Sequence, residues 1–193
     1  MMRNYYKCTV PLVIASTMTL GLLAPTVDAT TTPSSETPSQ VTTAEANVQL
    51  SQQQKVALAY YIQGYDQYTF TRNDIQKGKF TVTWMSGEKH VYPLNKITLV
   101  KQPKKVNNIE LMPGAPKDMV FYQVLPAKGN FATIVGVSNS QVVIGGTQNA
   151  SSYKDFLKGA KVQDISTLYQ QYHNDKMYSL IANKMVVTTT FPK

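Results

Sequence analysis

The chain has 193 residues and a formal net charge of +8 at pH 7, from 19 lysines and arginines against 11 aspartates and glutamates. All of the basic residues except Arg3 and Arg72 are lysines, and lysine lacks the planar fork with which arginine reads bases and phosphates. The single cysteine, Cys8, excludes an intramolecular disulfide and a zinc site built on several thiolates. The composition favours diffuse attraction to polyanions over recognition of nucleic acid. The alternative is that the excess lysines serve only to keep the protein soluble.

Residues 1–29 have the pattern of a secretory signal peptide. Arg3 and Lys7 precede an uncharged stretch that is apolar at its centre, and a small-residue cleavage site ends at Ala29. The apolar centre is too short for a bilayer span. The pattern predicts a secreted protein whose mature chain begins near Thr30.

Residues 30–47 are Thr, Ser, Pro, Glu, Gln and Ala with almost no large apolar side chain, which is typical of a disordered spacer. No later stretch is long and apolar enough to cross a membrane, so we expect no transmembrane segment in the mature chain. Residues 48–193 are long enough to bury a core of their own. We predict that they form a single globular domain.

The first predicted helix follows this spacer. Ser51 and Gln54 have the spacing of a capping box, and the run Lys55–Ile62 consists of good helix formers with apolar residues on one face. Gly64 is a stop signal. The pattern predicts a helix that begins after Ser51 and ends before Gly64.

From Tyr68 to Gly146 the pattern alternates between apolar and polar residues, as in Phe80, Val82 and Trp84, which share one face of a strand. Turn residues divide this region into short segments. Strands are predicted near 68–72, 79–85, 89–92, 97–101, 119–125, 130–137 and 140–145. Their short connections favour an antiparallel meander, because parallel crossovers need a dozen or more residues.

Helical spacing returns after Gly146. The sequence predicts a short helix over 151–157, a second helix that places Ile165, Leu168 and Tyr172 on one face, and a third helix capped by Asp175. The β-branched run 186–191 predicts an edge strand. The predicted fold class is α+β: an N-terminal helix, an antiparallel meander sheet, and C-terminal helices that pack on one face.

Residues suited to catalysis or metal binding are few. His90 and His173 have no second ligand at helical or strand spacing, and no serine stands in a nucleophile motif. We therefore predict no metal, no cofactor and no catalytic residue. A carboxylate pair for glycoside cleavage remains an alternative, because sequence does not show which carboxylates lie close in space. The candidates are Asp66, Asp74, Glu88, Glu110 and Asp118.

Aromatic residues and lysines are the candidates for binding. Aromatic rings with polar tips suit contacts with glycans and proteins, and a lysine cluster around Pro103 suits a polyanion. The predicted binding residues are Tyr60, Tyr61, Tyr65, Trp84, Tyr92, Lys101, Lys104 and Lys105. The alternative is that the tyrosines form the boundary between helices and sheet and that the lysines lie in a solvated loop.

Two segments carry a family resemblance: 50–60, which reads LSQQQKVALAY, and 165–172, which reads ISTLYQQY. In these segments the chain resembles small secreted or lipid-anchored proteins of unknown function from lactobacilli and related Gram-positive bacteria. The resemblance implies a domain associated with the cell envelope and no assigned activity. Cys8 precedes the apolar stretch instead of ending it, so a lipid anchor is not predicted.

These observations favour a non-catalytic secreted domain that binds weakly to the cell envelope or to an extracellular partner. The expected partner is an anionic cell-wall polymer or glycan, or an extracellular protein. Two alternatives remain: a small wall-directed hydrolase that uses paired carboxylates, and a secreted inhibitor or adhesion ligand that binds a protein.

Overall fold

A computed structural model describes residues 49–83, 86–148 and 152–192. These residues fall within one compact unit, Ala46–Lys193. The predicted signal peptide over 1–29, the predicted spacer over 30–47, and Trp84 lie outside the described residues. Within the described part of the chain, no helix has the length and apolar character needed to cross a membrane.

The described residues form five α-helices and ten strands. The helices are α1 (Gln52–Leu58), α2 (Arg72–Lys77), α3 (Tyr153–Leu157), α4 (Ile165–Tyr172) and α5 (Lys176–Asn183). The strands are β1 (Lys79–Thr83), β2 (Lys89–Pro93), β3 (Ile97–Lys101), β4 (Lys105–Val106), β5 (Ile109–Glu110), β6 (Val120–Leu125), β7 (Ala132–Val137), β8 (Gln141–Thr147), β9 (Lys161–Asp164) and β10 (Met185–Thr188). The predicted α+β class is confirmed.

The predicted capping box at the start of α1 is confirmed. The backbone N–H of Gln54 donates to Ser51 Oγ over 3.2 Å, and the N–H of Ser51 donates to Gln54 Oε1 over 2.8 Å. A turn of 3₁₀-helix, Ala59–Tyr61, continues α1. Gly64 follows with a φ of 80°, a conformation that glycine adopts without steric cost.

Six strands form the main sheet of the described residues, in the order β10-β3-β6-β7-β8-β9. Each pair of neighbouring strands from β3 to β9 in this order is antiparallel. The remaining pair, β10 with β3, is parallel. The predicted strands from residue 97 onward therefore form a mainly antiparallel sheet. The predicted C-terminal strand does lie at an edge of this sheet.

One predicted strand, 68–72, is wrong. Residues 68–71 form a turn and irregular backbone between a 3₁₀ turn, Tyr65–Gln67, and α2. The helix starts here because Thr71 and Asp74 form a second capping box, in which the N–H of Asp74 donates to Thr71 Oγ1 over 3.0 Å. The strand β9 was not predicted, because its residues are all exposed and carry no apolar alternation.

Two hairpins lie apart from the main sheet. β1 pairs with β2, and β4 pairs with β5. Asn107 and Asn108 connect β4 to β5 with φ angles of 50° and 64°. Both angles suit a two-residue hairpin turn, for which asparagine is favoured. Asparagine is a common turn residue, so the sequence carries a turn signal at 107–108. The strands on either side were not predicted.

The two faces of the main sheet are packed differently. On one face, called the covered face, side chains such as Leu99, Tyr122 and Val135 join one large buried cluster with residues of α1, α4 and α5. On the opposite face, called the open face, Ile134 and Val143 belong to a smaller cluster with residues of α3. α3 spans only Tyr153–Leu157, so it cannot cover the sheet as the longer helices do. Of the three predicted C-terminal helices, α4 and α5 pack on one face, as predicted, whereas α3 belongs to the cluster on the other face.

Candidate functional site

A groove of about 900 Å³ lies on the open face. Its floor includes Phe121 of β6 and Ala132 and Ile134 of β7, and its wall includes Met112 and Met119 from the connection between β5 and β6. Ligand sites in proteins are commonly clefts of roughly 300–1,000 Å³ with apolar linings and a few polar groups. The groove has the size and the lining of such a site.

Gly136 determines how Phe121 sits in the floor. The two residues face each other in the β6–β7 register. A Cβ atom on Gly136 would lie 2.7 Å from Cε1 of Phe121 and 2.7 Å from Cγ1 of Val143. Glycine therefore allows the aromatic ring to lie close against the backbone of the sheet.

The wall of the groove is held by backbone hydrogen bonds. The N–H of Leu111 donates to the carbonyl of Lys104 over 2.9 Å, and the N–H of Met119 donates to the carbonyl of Pro116 over 3.0 Å. The N–H of Tyr153 in α3 donates to the carbonyl of Pro113 over 3.0 Å. Each bond fixes a backbone group of the loop, so the wall is an ordered part of the fold.

Lysines border the groove. The described residues that line it include Lys101, Lys104 and Lys117, and Glu110 is the only acidic residue among them. The ammonium of Lys104 donates to the backbone carbonyl of Lys117 over 2.9 Å, which places one positive charge on the wall. The groove therefore combines an apolar floor with a net positive border.

Two of the three lysines predicted for binding, Lys101 and Lys104, lie at this groove. Lys105 lies next to them in β4 and is exposed, but it is not part of the lining. Lys117 was not among the predicted residues, because it is distant from Lys101 in sequence. The turn residues Pro113 and Gly114 were the available signal that the chain reverses between them.

Tyr60 and Tyr61 lie in the core and not on the surface. Tyr60 has no exposed area, and its hydroxyl lies 3.3 Å from Thr69 Oγ1. Tyr61 stacks on Tyr172 with ring centroids 4.3 Å apart, and the guanidinium of Arg72 lies 4.5 Å from its ring centre. Burial raises the pKa of both phenols above the ordinary value. A buried ring has no surface to offer a partner.

The other predicted aromatic residues lie apart from the groove. Tyr65 is half-buried, and its hydroxyl accepts a hydrogen bond from the N–H of Arg72 over 2.9 Å. Tyr92 on β2 is 38% exposed and packs against Phe80, with ring centroids 5.6 Å apart. Neither residue lines the groove. Tyr92 offers some surface to a partner, and Trp84 lies outside the described residues.

Phe121, Ile134 and Met119 were not predicted as site residues. β7 is buried or half-buried along its whole length, and its sequence ATIVGV is a nearly continuous apolar run. Such a run predicts a strand that is covered on both faces. The apolar run does not reveal that packing on the open face is incomplete, and this incomplete packing is what forms the groove.

The five candidate carboxylates lie in different elements and turns of the fold. Asp74 accepts the N–H of Thr71 over 2.9 Å as part of a helix cap. Asp118 accepts the N–H of Asn139 over 2.8 Å, and Glu88 lies 3.1 Å from His90 Nε2. Among the described lining residues of the groove only Glu110 is acidic, whereas glycosidase mechanisms place two carboxyl groups roughly 5–10 Å apart.

A second depression of about 510 Å³ lies between the end of the first helix and β9. Three glutamines line it, Gln63, Gln67 and Gln163, together with Lys161. Its lining lacks the aromatic floor of the groove. The described residues contain no cluster of three or more His, Cys, Asp or Glu side chains that could hold a metal ion.

Comparison of the chain with protein families, with curated proteins and with solved structures found no match. The resemblance to lactobacillal secreted proteins therefore stays a prediction. The functional interpretation rests on the geometry and charge of the groove.

Proposed function

We propose that this chain is a non-catalytic binding domain that acts at the cell envelope and binds an anionic envelope component at the groove of the open face. The observation that carries the proposal is the groove itself, about 900 Å³ in volume, with Lys101, Lys104 and Lys117 in its lining. The signal-peptide pattern over 1–29 supports an extracellular setting for this binding.

The charge of the groove favours binding over hydrolysis. The hydrolase alternative needs two catalytic carboxylates. Glu110 is the only acidic residue in the described lining of the groove. Lysines suit an anionic ligand as point charges that need no fixed geometry. Wall polymers and lipid headgroups are the abundant anions outside a bacterial cell, so they are the envelope components that the lysines match.

The proposal is tested by sedimentation of the purified chain with isolated cell walls, with and without their anionic polymers, across a salt titration. The informative variant is the triple substitution Lys101→Gln, Lys104→Gln and Lys117→Gln. We expect the bound fraction to fall when the polymers are removed, when salt is added, and when the three groove lysines are lost, because each change weakens the same electrostatic contact.

A matched control removes the same charge elsewhere. Lys79, Lys89 and Lys176 are exposed and line neither depression, so their joint replacement by glutamine changes the net charge equally. We expect this control to sediment like the parent chain. Equal losses in the two triple variants would show that the attraction is diffuse. No sedimentation at any salt concentration would overturn the envelope proposal.

A further inference from the structure

The floor of the groove is more apolar than a polyanion alone requires. Phe121, Met112 and Ala132 are half-buried and lie against the buried side chains of Ile134 and Met119. Covering this apolar surface with a hydrophilic polymer gains little free energy, whereas burying it against a hydrocarbon chain is favourable. The floor therefore matches an apolar ligand, and the groove has room for a long one at about 900 Å³.

The border of the groove matches a ligand with a doubly charged head. The described lining contains three lysines, Lys101, Lys104 and Lys117, and one acidic residue, Glu110, which leaves an excess of two positive charges. A phosphate monoester carries about −1.5 to −2 charges at pH 7 and offers three acceptor oxygens. A carboxylate or a phosphodiester carries one negative charge and balances the border only in part.

We infer that the groove binds a single-chain lipid phosphate, a lipid with one acyl chain and a phosphate monoester as its head. The chain lies along Phe121, Ile134 and Met119, and the phosphate lies at Lys101, Lys104 and Lys117. This inference rests on the proposed role of the groove as the binding site, and it names the class of ligand.

Calorimetric titration below the micelle concentration tests the ligand class, with lysophosphatidic acid as the probe. Three comparison ligands each lack one feature: glycerol 3-phosphate lacks the chain, lysophosphatidylcholine of the same chain length has a zwitterionic head, and a fatty acid of the same length has a carboxylate. We expect each to bind at least tenfold more weakly than the probe. Affinity for lysophosphatidic acid should rise several-fold for each added pair of methylenes until the groove is full.

Variants assign the two ends of the ligand. Replacement of all three groove lysines, Lys101, Lys104 and Lys117, by glutamine should lower the affinity for lysophosphatidic acid at least tenfold. The control triple at Lys79, Lys89 and Lys176 should leave this affinity unchanged. Ala132→Glu puts a carboxylate on the apolar floor and should abolish the dependence on chain length. Thermal unfolding of each variant shows whether the fold is kept.

The outcomes separate this inference from the proposed function. Glycerol 3-phosphate binding as tightly as lysophosphatidic acid would show that the floor has no part in binding, and equal affinity for the fatty acid or for lysophosphatidylcholine would overturn the assignment of the head. Sedimentation with cell walls but no binding of lysophosphatidic acid would overturn this inference alone. Absence of both would overturn the proposed function as well.

Discussion

The covered and open faces of the main sheet are made by the same strands, yet they have different covers. Four helices, α1, α2, α4 and α5, contribute to the buried cluster on the covered face, while one helical turn and a loop partly cover the open face. Buried apolar area is the main source of stability. The covered face therefore holds the fold together, and the open face has apolar surface left for a ligand.

The largest expected effect comes from a cavity on the covered face. Leu99 in β3 has no exposed area and belongs to the large cluster. We expect Leu99→Ala to lower the free energy of unfolding by about 2–5 kcal/mol, because the lost contacts leave a closed cavity. Urea denaturation followed by circular dichroism measures this change.

The matched substitution on the open face is Ile134→Ala. Its cost should lie at the lower end of the same range, because the space it leaves joins the groove instead of closing into a cavity. Val186→Ala is the surface control, since Val186 is 50% exposed, and it should change stability by less than about 0.5 kcal/mol. A larger loss for Ile134→Ala than for Leu99→Ala would reverse the comparison between the faces.

Gly136→Ala should destabilise the open face by about 1–3 kcal/mol through overpacking, because the new methyl group meets the ring of Phe121 at 2.7 Å. Thermal unfolding measures the loss. Gly159→Ala is the control, since no atom lies within 4 Å of the position of its Cβ. A Gly136→Ala variant as stable as the control would show that Phe121 is free to move away from the sheet.

The cap of α4 gives a smaller effect that depends on pH. Asp164 accepts the hydroxyl of Ser166 over 2.6 Å and the N–H of Thr167 over 2.8 Å, and these bonds hold the pKa of its carboxyl below the ordinary value. The resulting stabilisation is present above the ordinary aspartate pKa of about 3.9 and is lost as the pH falls through the lowered value. Asp164→Ala should cost about 0.5–2 kcal/mol at neutral pH.

Asp164→Asn separates the cap from the charge. Asparagine also caps helices, so most of the stability at neutral pH should remain, while the part lost in acid should disappear. Because the group is exposed, solvent screening keeps this part small. Unfolding curves between pH 2.5 and pH 7 measure it, and an unchanged acid dependence in Asp164→Asn would assign it to other groups.

The smallest effects concern two buried tyrosines of the covered face. Tyr60→Phe should cost about 0.5–1.5 kcal/mol, because it removes the hydroxyl that pairs with Thr69 over 3.3 Å. The hydroxyl of Tyr178 has no hydrogen-bond partner among the described residues, and burial raises its pKa to about 12. Tyr178→Phe should therefore leave stability unchanged or raise it. Equal costs for the two variants, measured by urea denaturation, would contradict this distinction.

Local signals account for the parts of the fold that sequence predicts well. Ser51 with Gln54 marks the start of α1, and Asp175 marks the start of α5, because a cap depends only on residues within one turn. The same kind of signal was present for α2, at Thr71 and Asp74. It was outweighed by the alternation of aromatic residues before it, which resembles a strand.

The groove depends on long-range arrangement. Lys101 and Lys117 both line the groove because the chain reverses between β3 and β6, and Phe121 forms its floor opposite Gly136 in the register. Neither relation is local in sequence. Two of the lysines around Pro103 line the groove, while the apolar half of its lining could not be distinguished from core before the pairing of the strands was known.

The parallel pairing of β10 with β3 has a consequence for the order of folding. Met185 lies opposite Ile97 in the register, so the edge of β3 is completed by a strand that lies far downstream of it in the sequence. Pairs this distant in sequence carry a high entropic cost of loop closure and form slowly. A chain that emerges from its N-terminus keeps β3 unpaired on that side until β10 has emerged, which delays completion of the native sheet.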